Sequence, residues 1–166
     1  MEPWLDVLTK LGVARGDAGW VHRFVPSMKA KGTRLGINFD FTGDVGNSTD
    51  SLRLLRFTHQ YHGGNKAEEL ADRLATLHFE ERQCVGSHET LRRAAVDVGI
   101  AEAEVDKILN DPSFYLQEVE NHIEALHTAG VFSIPLFVLT YQERSCKIHG
   151  AASVQEFSNA LEQIMA

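Results

Sequence analysis

The chain has 166 residues, 43% of them hydrophobic and 23% charged, and a formal net charge of −7. That balance suits one globular domain of ordinary size, or a small domain carrying an insertion. No apolar run approaches the roughly 20 residues that a membrane-spanning helix needs, and no basic stripe is present, so neither a membrane nor a nucleic-acid partner is expected.

The opening "MEPWLDVLTKLG" carries Glu2 and Asp6 and lacks the basic start and apolar core of a secretory signal. A cytoplasmic location is expected, with an organellar matrix as the alternative. The two cysteines, Cys84 and Cys146, are far apart and form no C-x-x-C. In such a setting both are expected to be reduced, with a single bridge between them the alternative. Asn47-Ser48-Thr49 matches a glycosylation sequon, which without a secretion signal is read as chance.

In chain order, Pro3 sits at the first turn of a helix that Gly12 is expected to stop. A second helix opens at Asp17 and is interrupted by Pro26, where a kink or break is expected. "GINFDF" alternates Ile37, Phe39 and Phe41 with Asn38 and Asp40, which predicts a short half-buried extended segment. Asn47 or Ser48 can cap the next helix, which Gly63-Gly64 ends. Asn65 and Glu68 form an N-x-x-E start for a helix with Ala67, Leu70, Ala71, Leu74 and Leu77 on one face. Ser87 opens a helix stopped at Gly99, a short helix follows, and Asp111-Pro112 starts a longer one that ends at Gly130.

The pattern changes at Val131. A strand over 135–139, the turn "YQER" and the strand "SCKIHG" predict a hairpin. Ser153 and Glu156 then form a capping box for a last helix with Val154, Phe157, Leu161 and Ile164 inward. Pro135 itself admits two readings. Either it opens an edge strand, where a missing amide hydrogen does no harm, or the Ile134-Pro135 bond is cis in a tight turn beside a binding surface. The order of helix, glycine, short loop, proline, apolar strand, hairpin and terminal helix favours the second. The fold class is α/β and mostly helical, with a helical region over 1–130 and a β-β-α region over 131–166.

"AGVFSIPLFVL" followed by "IHGAASVQEFSNALEQI" resembles the end of the DsbA-like thioredoxin family. The likeness is closest to its FrnE branch, related to 2-hydroxychromene-2-carboxylate isomerase and kappa-class glutathione transferase. There G-V-x-G-V-P-x-F-V and S-G-A-x-x-x-x-x-F-x-x-A-L recur. The segment from Lys31 to Ile100 is similar to the helical insert of that family, with its G-I-x-F segment and an N-S or N-T pair opening a helix. In the family a β-α-β unit precedes the insert and carries a C-x-x-C, or a serine in the glutathione-dependent branch, at a helix N-terminus that stabilises a thiolate. Here only some thirty residues precede the insert-like part, and they look like its own entry helices. Ser133 and Ile134 replace the small residue and valine before the family's proline, a change compatible with the same turn.

The candidate sites follow from both readings. Cys146, on the second hairpin strand, reads as a packed thiol. Cys84, between Arg82 and His88, is the candidate reactive thiol, because nearby positive charge favours thiolate. His59 with His62, and His78 with Glu81, have the spacing of two metal ligands, but no third ligand is suggested; helix-end placement of the histidines is preferred and no metal is expected. Glu80 and Glu81 read as part of a solvated face. Gly150-Ala151-Ala152-Ser153 offers small residues and helix-start amides suited to an anion. By resemblance, Ser133, Ile134, Pro135 and Ser153 form half of a glutathione or substrate site, faced by Asn47 from the insert; ordinary capping by Ser153 and Asn47 is the preferred alternative.

The resemblance implies a thioredoxin-fold protein without a dithiol active site or catalytic residue of its own, a binding or scaffold module. The alternatives are a glutathione-dependent isomerase or transferase, with glutathione as the possible cofactor, and a truncated form of a disulfide oxidoreductase. Expected partners are a peptide or glutathione and a second copy of the chain. Without the strands that flank it in the family, the strand over 135–139 is left with a bare edge; either "GINFDF" folds back to fill it or two copies pair there, and the second is preferred, which predicts a homodimer built on that strand and the terminal helix.

Overall fold

Pro3, whose missing amide hydrogen is not needed ahead of a helix, is the N-cap residue of α1 (Trp4–Ala14) in the computed structural model, which describes residues 1–166. It also belongs to β1 (Glu2–Pro3), which pairs antiparallel with β2 (Asp44–Val45). The chain forms two units, Met1–Val119 and Glu120–Ala166. No helix is long and apolar enough to cross a membrane.

In Met1–Val119, two helices depart from their sequence signals because of tertiary packing. α1 does not stop at Gly12; it runs through it, and Gly12 is buried where a Cβ would lie 2.8 Å from the Asp17 carbonyl oxygen. The turn falls instead at Gly16, with φ +76°. α2 (Trp20–Leu35) continues past Pro26, so the expected break is absent. Its apolar side, with Val21, Phe24, Val25 and Met28, packs on Leu8 and Phe41, and that burial outweighs the loss of one helix hydrogen bond.

"GINFDF" is inward-facing at Phe41 but joins no ladder. Its amides go to the end of α4 (Gly64–Phe79). Asp40 N donates to the Phe79 carbonyl at 2.7 Å, and Asn38 N donates to Glu80 Oε2 at 2.9 Å. Gly32 makes this docking possible, since a Cβ there would stand 2.5 Å from both the Ile37 carbonyl and the Phe39 ring.

The larger core is formed by α3 (Thr49–His62), α4, α5 (His88–Asp97) and α6 (Glu102–Leu109), around Leu54, Leu70, Leu77, Leu91, Val105 and Ile108. α4 begins one residue after Gly63, which turns the chain at φ +87°. Asn65 therefore lies inside the first turn, and the N-x-x-E start is not used. After α6, Asp111 Oδ1 accepts from Ser113 N at 3.0 Å and Ser113 Oγ at 2.6 Å. The chain then passes through Tyr115 at φ +61°, and α7 (Leu116–Thr128) starts four residues later than the Asp111-Pro112 signal suggests.

Arg53 decides this placement. Only 1% exposed, it donates from Nε to the Phe114 carbonyl at 2.7 Å, from Nη1 to Asp50 Oδ1 at 2.6 Å, and from Nη2 to the carbonyls of Ile108, at 2.6 Å, and Asp111. A buried guanidinium is tolerated only when its charge and donors are all met, and here one side chain ties α3 to the whole α6–α7 turn.

The second unit begins within α7. Its hairpin pairs β3 (Leu136–Tyr141) with β4 (Arg144–His149) through a two-residue turn with Gln142 at φ +52°. β3 starts after Pro135 and runs two residues beyond the expected end. α8 (Val154–Met165) opens with the capping box expected from Ser153 and Glu156. One face of the hairpin meets α8, with the Phe137 and Phe157 rings 5.0 Å apart and Cys146 Sγ 3.9 Å from the Ala160 carbonyl. Val154, expected inward, is exposed at the first helical position, ahead of the turns that meet the hairpin.

Arg53→Met leaves three carbonyls and Asp50 without their common donor. A loss of about 3–5 kcal/mol in urea unfolding is expected, with Arg53→Lys recovering only part, because an ammonium cannot span the same fork. A loss under about 1 kcal/mol for the methionine variant contradicts the assigned role.

Candidate binding site

The loop ahead of β3 is built by local constraints. Gly130 turns the chain at φ +79° after α7, and Val131 N donates to the Leu126 carbonyl at 2.9 Å. The Ile134–Pro135 bond is cis, and the Pro135 carbonyl accepts from Gly150 N at 2.9 Å. That bond holds the start of β3 against the segment that leads into α8. Ser133, Ile134 and Pro135 thus share one corner of the second unit with the approach to Ser153, and Ile134 is 89% exposed there.

Ser153 is turned toward its own helix. Its amide donates to Glu156 Oε2 at 2.6 Å, its hydroxyl donates to the same oxygen at 2.8 Å, and its oxygen accepts from Glu156 N at 3.3 Å. The amide and hydroxyl of Ser153 hold the Glu156 carboxyl below its ordinary range. The amide and hydroxyl of Ser153 at this helix start are thus taken up by the chain's own carboxylate.

Asn47 belongs to the first unit. Its Oδ1 accepts from Thr49 N at 2.9 Å and from Thr49 Oγ1 at 2.6 Å, the capping use of the side chain. Its backbone is packed against Gly86, where a Cβ would lie 2.6 Å from the Asn47 carbonyl oxygen.

The expectation of a reactive Cys84 meets a different environment. The residue is 6% exposed, with Sγ against Gly46, and both cysteines are free thiols. Of the cations that motivated the reading, Arg82 faces Asp40 at 3.8 Å and His88 Nε2 lies 2.9 Å from Asp50 Oδ2. Burial restricts the access that a reactive thiol needs.

The histidine pairs are likewise engaged. His62 Nε2 is 3.5 Å from Glu104 Oε1, while His78 Nδ1 is 3.1 Å from the Gln83 carbonyl and its ring stacks on Trp4 at 4.4 Å. Glu81, on a partly exposed face, is paired rather than free: it accepts from Arg73 and Arg93, each at 2.6 Å, and it is held below its usual range, first by Arg73. No group of three or more histidine, cysteine or acidic side chains is gathered for a metal.

Sequence reasoning did not single out the line Arg53–Asp50–His88, which joins α3 to α5. Its only sequence trace is the Asp50/Arg53 spacing of three and an arginine within the apolar run "LRLLRF".

A helical block, then a cis-proline, a hairpin and a capped terminal helix, defines a mostly helical α/β protein of the DsbA-like thioredoxin class. The DSBA-like thioredoxin domain matches residues 21–162, and the chain belongs to that family. Among solved structures, it is similar to a probable DsbA oxidoreductase from Streptomyces coelicolor, at 26% identity and a TM-score of 0.82, over 96% of this chain and 67% of that one. No curated protein matches.

The Asp50 site carries a pH signature. Burial pushes its carboxyl up, but hydrogen bonds from His88 and Arg53 outweigh burial, and the net shift is down. A depressed folded value contributes stability above the unfolded value of about 4, and that contribution is lost as the pH falls through the folded value. Asp50→Asn is expected to lower stability at pH 7, with its gap to the wild type closing as the pH falls below about 4. Urea unfolding across a pH series measures this, and a gap independent of pH contradicts it.

Proposed function

We propose that this DsbA-like protein works as a binding module without thiol chemistry of its own, and that it holds an extended polypeptide segment at Ser133, Ile134 and Pro135. One observation carries the reading: the loop ahead of β3 is presented to solvent, while Cys84 is buried and Cys146 is turned toward α8. A residue before proline is biased to extended backbone, which lets its amide and carbonyl run edge-on to a second extended chain. Exposed Phe132 and Ile134 supply apolar contacts on either side of Ser133. The structural relative is described as a probable oxidoreductase; in this chain the same fold is proposed to retain substrate contact and to lack the reagent. Glutathione is the weaker occupant, because Glu156 stands where its carboxylate would seek the helix start.

Calorimetric titration with an unfolded, carboxymethylated polypeptide is expected to give saturable heat, weakened about tenfold or more by Ile134→Asp, while glutathione gives none. Insulin reduction is expected not to exceed a thiol-free control. Absence of polypeptide binding overturns the proposal, as does insulin turnover that disappears in Cys84→Ser or Cys146→Ser.

A further inference from the structure

We infer that a cavity in the first unit takes a linear diammonium ligand, an alkyl chain with a charged amine at each end. The cavity measures about 580 Å³, a size ordinary for a small-molecule site, and lies wholly within Met1–Val119 between α2, the segment over 37–41 and α4. Its walls are Met28, Ile37, Phe39, Ala75 and Phe79. The chain's own bonds hold these walls in place, so a ligand need not order them on binding. Gly32 admits the 37–39 segment against α2, Asp40 N donates to the Phe79 carbonyl at 2.7 Å, and the Phe39 and Phe79 rings meet edge to face at 5.5 Å.

Charge complementarity selects the occupant. Asp72, Thr76 and Glu80 line the same cavity at steps of four residues, which sets them on one side of α4 with a carboxylate at either end and Ala75 and Phe79 between. Eight residues of helix span about 12 Å. Neither carboxylate is paired with a cation of the chain. Arg73 is held by Glu81 and Asp97 at 2.6 and 2.7 Å, Arg82 faces Asp40 at 3.8 Å, and the charge of Lys29, next to Met28, acts on Asp40. Glu80 Oε2 accepts from Asn38 N at 2.9 Å, which fixes that carboxylate without neutralising it. A fatty-acid-like anion would set like charges against the acids, and a neutral chain would leave both unmatched. Two amines separated by about eight carbons cover the span, while the methylenes replace water along the Met28, Phe39 and Phe79 walls. The net charge of −7 attracts cations everywhere on the surface, so chain length and position, not charge alone, distinguish this site.

Titration of the full chain followed by backbone amide resonances tests this with α,ω-diaminooctane, α,ω-diaminopropane, octylamine and octanoate. Diaminooctane is expected to give saturable shifts concentrated at 37–40 and 72–80. It is expected to bind at least about fivefold more tightly than octylamine, and at least about tenfold more tightly than diaminopropane, which carries the same charge and cannot span the acids. Octanoate is expected to give no saturable shift. Asp72→Asn is expected to bring diaminooctane down to the octylamine level, and Ala75→Phe, at an exposed position on the cavity wall, to abolish saturation with an unchanged circular dichroism spectrum. The inference is overturned by diaminooctane shifts that do not saturate or that lie elsewhere, by diaminopropane binding as tightly as diaminooctane, which marks a surface counter-ion only, or by saturable octanoate binding. A loss under about threefold in both variants overturns it as well.

Discussion

A guanidinium removed from water must have its charge and its donors met together, and in the first unit Arg53 meets that demand with groups drawn from the whole α6–α7 turn. The carbonyls of Ile108, Asp111 and Phe114 converge on one planar fork, and Asp50 balances the charge from the preceding turn of the same helix. Asp50 is in turn held by His88 at the start of α5. Helix α3 is thereby fastened along its polar side to α5 and to the α6–α7 turn, while Leu54 and Phe57 enter the shared apolar core. The left-handed Tyr115 and the late start of α7 follow from aiming the Phe114 carbonyl at Arg53, since a helix begun at Ser113 would direct that carbonyl along its own axis.

Burial is divided unevenly, and the division matches the proposed roles. Met1–Val119 contains both apolar clusters, whereas Glu120–Ala166 is a hairpin with a helix laid on one face. Segments that engage partners are drawn from the less buried end of a structure, where surface is available and local opening is easier. The loop before β3 belongs to that end.

The groups around the hairpin and the two thiols are engaged within the chain. The amides at the start of α8 are turned to Glu156, and the two sulfurs are packed, one in each unit. Cys146 takes the place of a small apolar residue between the hairpin and α8, and Cys84 does the same against Gly46.

By itself the sequence determined what depends on neighbours along the chain. The capping box of α8, the hairpin, the glycine ends near 63, 99 and 130, and the proline-first strand are all short-range chemistry, and the motif order they make carried the family resemblance. Tertiary structure decided what depends on partners far away in sequence. Gly12 and Gly32 read as a stop and as a helix interior, yet each is a point of close backbone approach. Pro26 reads as a break, yet packing carries the helix through it. Asn38 finds Glu80 across 42 residues and Arg53 finds Ile108 across 55, contacts that leave no periodicity to read. Burial of Cys84 and exposure of Val154 have the same origin: a side chain's environment is set by whatever the fold brings against it, and pattern along the chain reports only the face it leaves from.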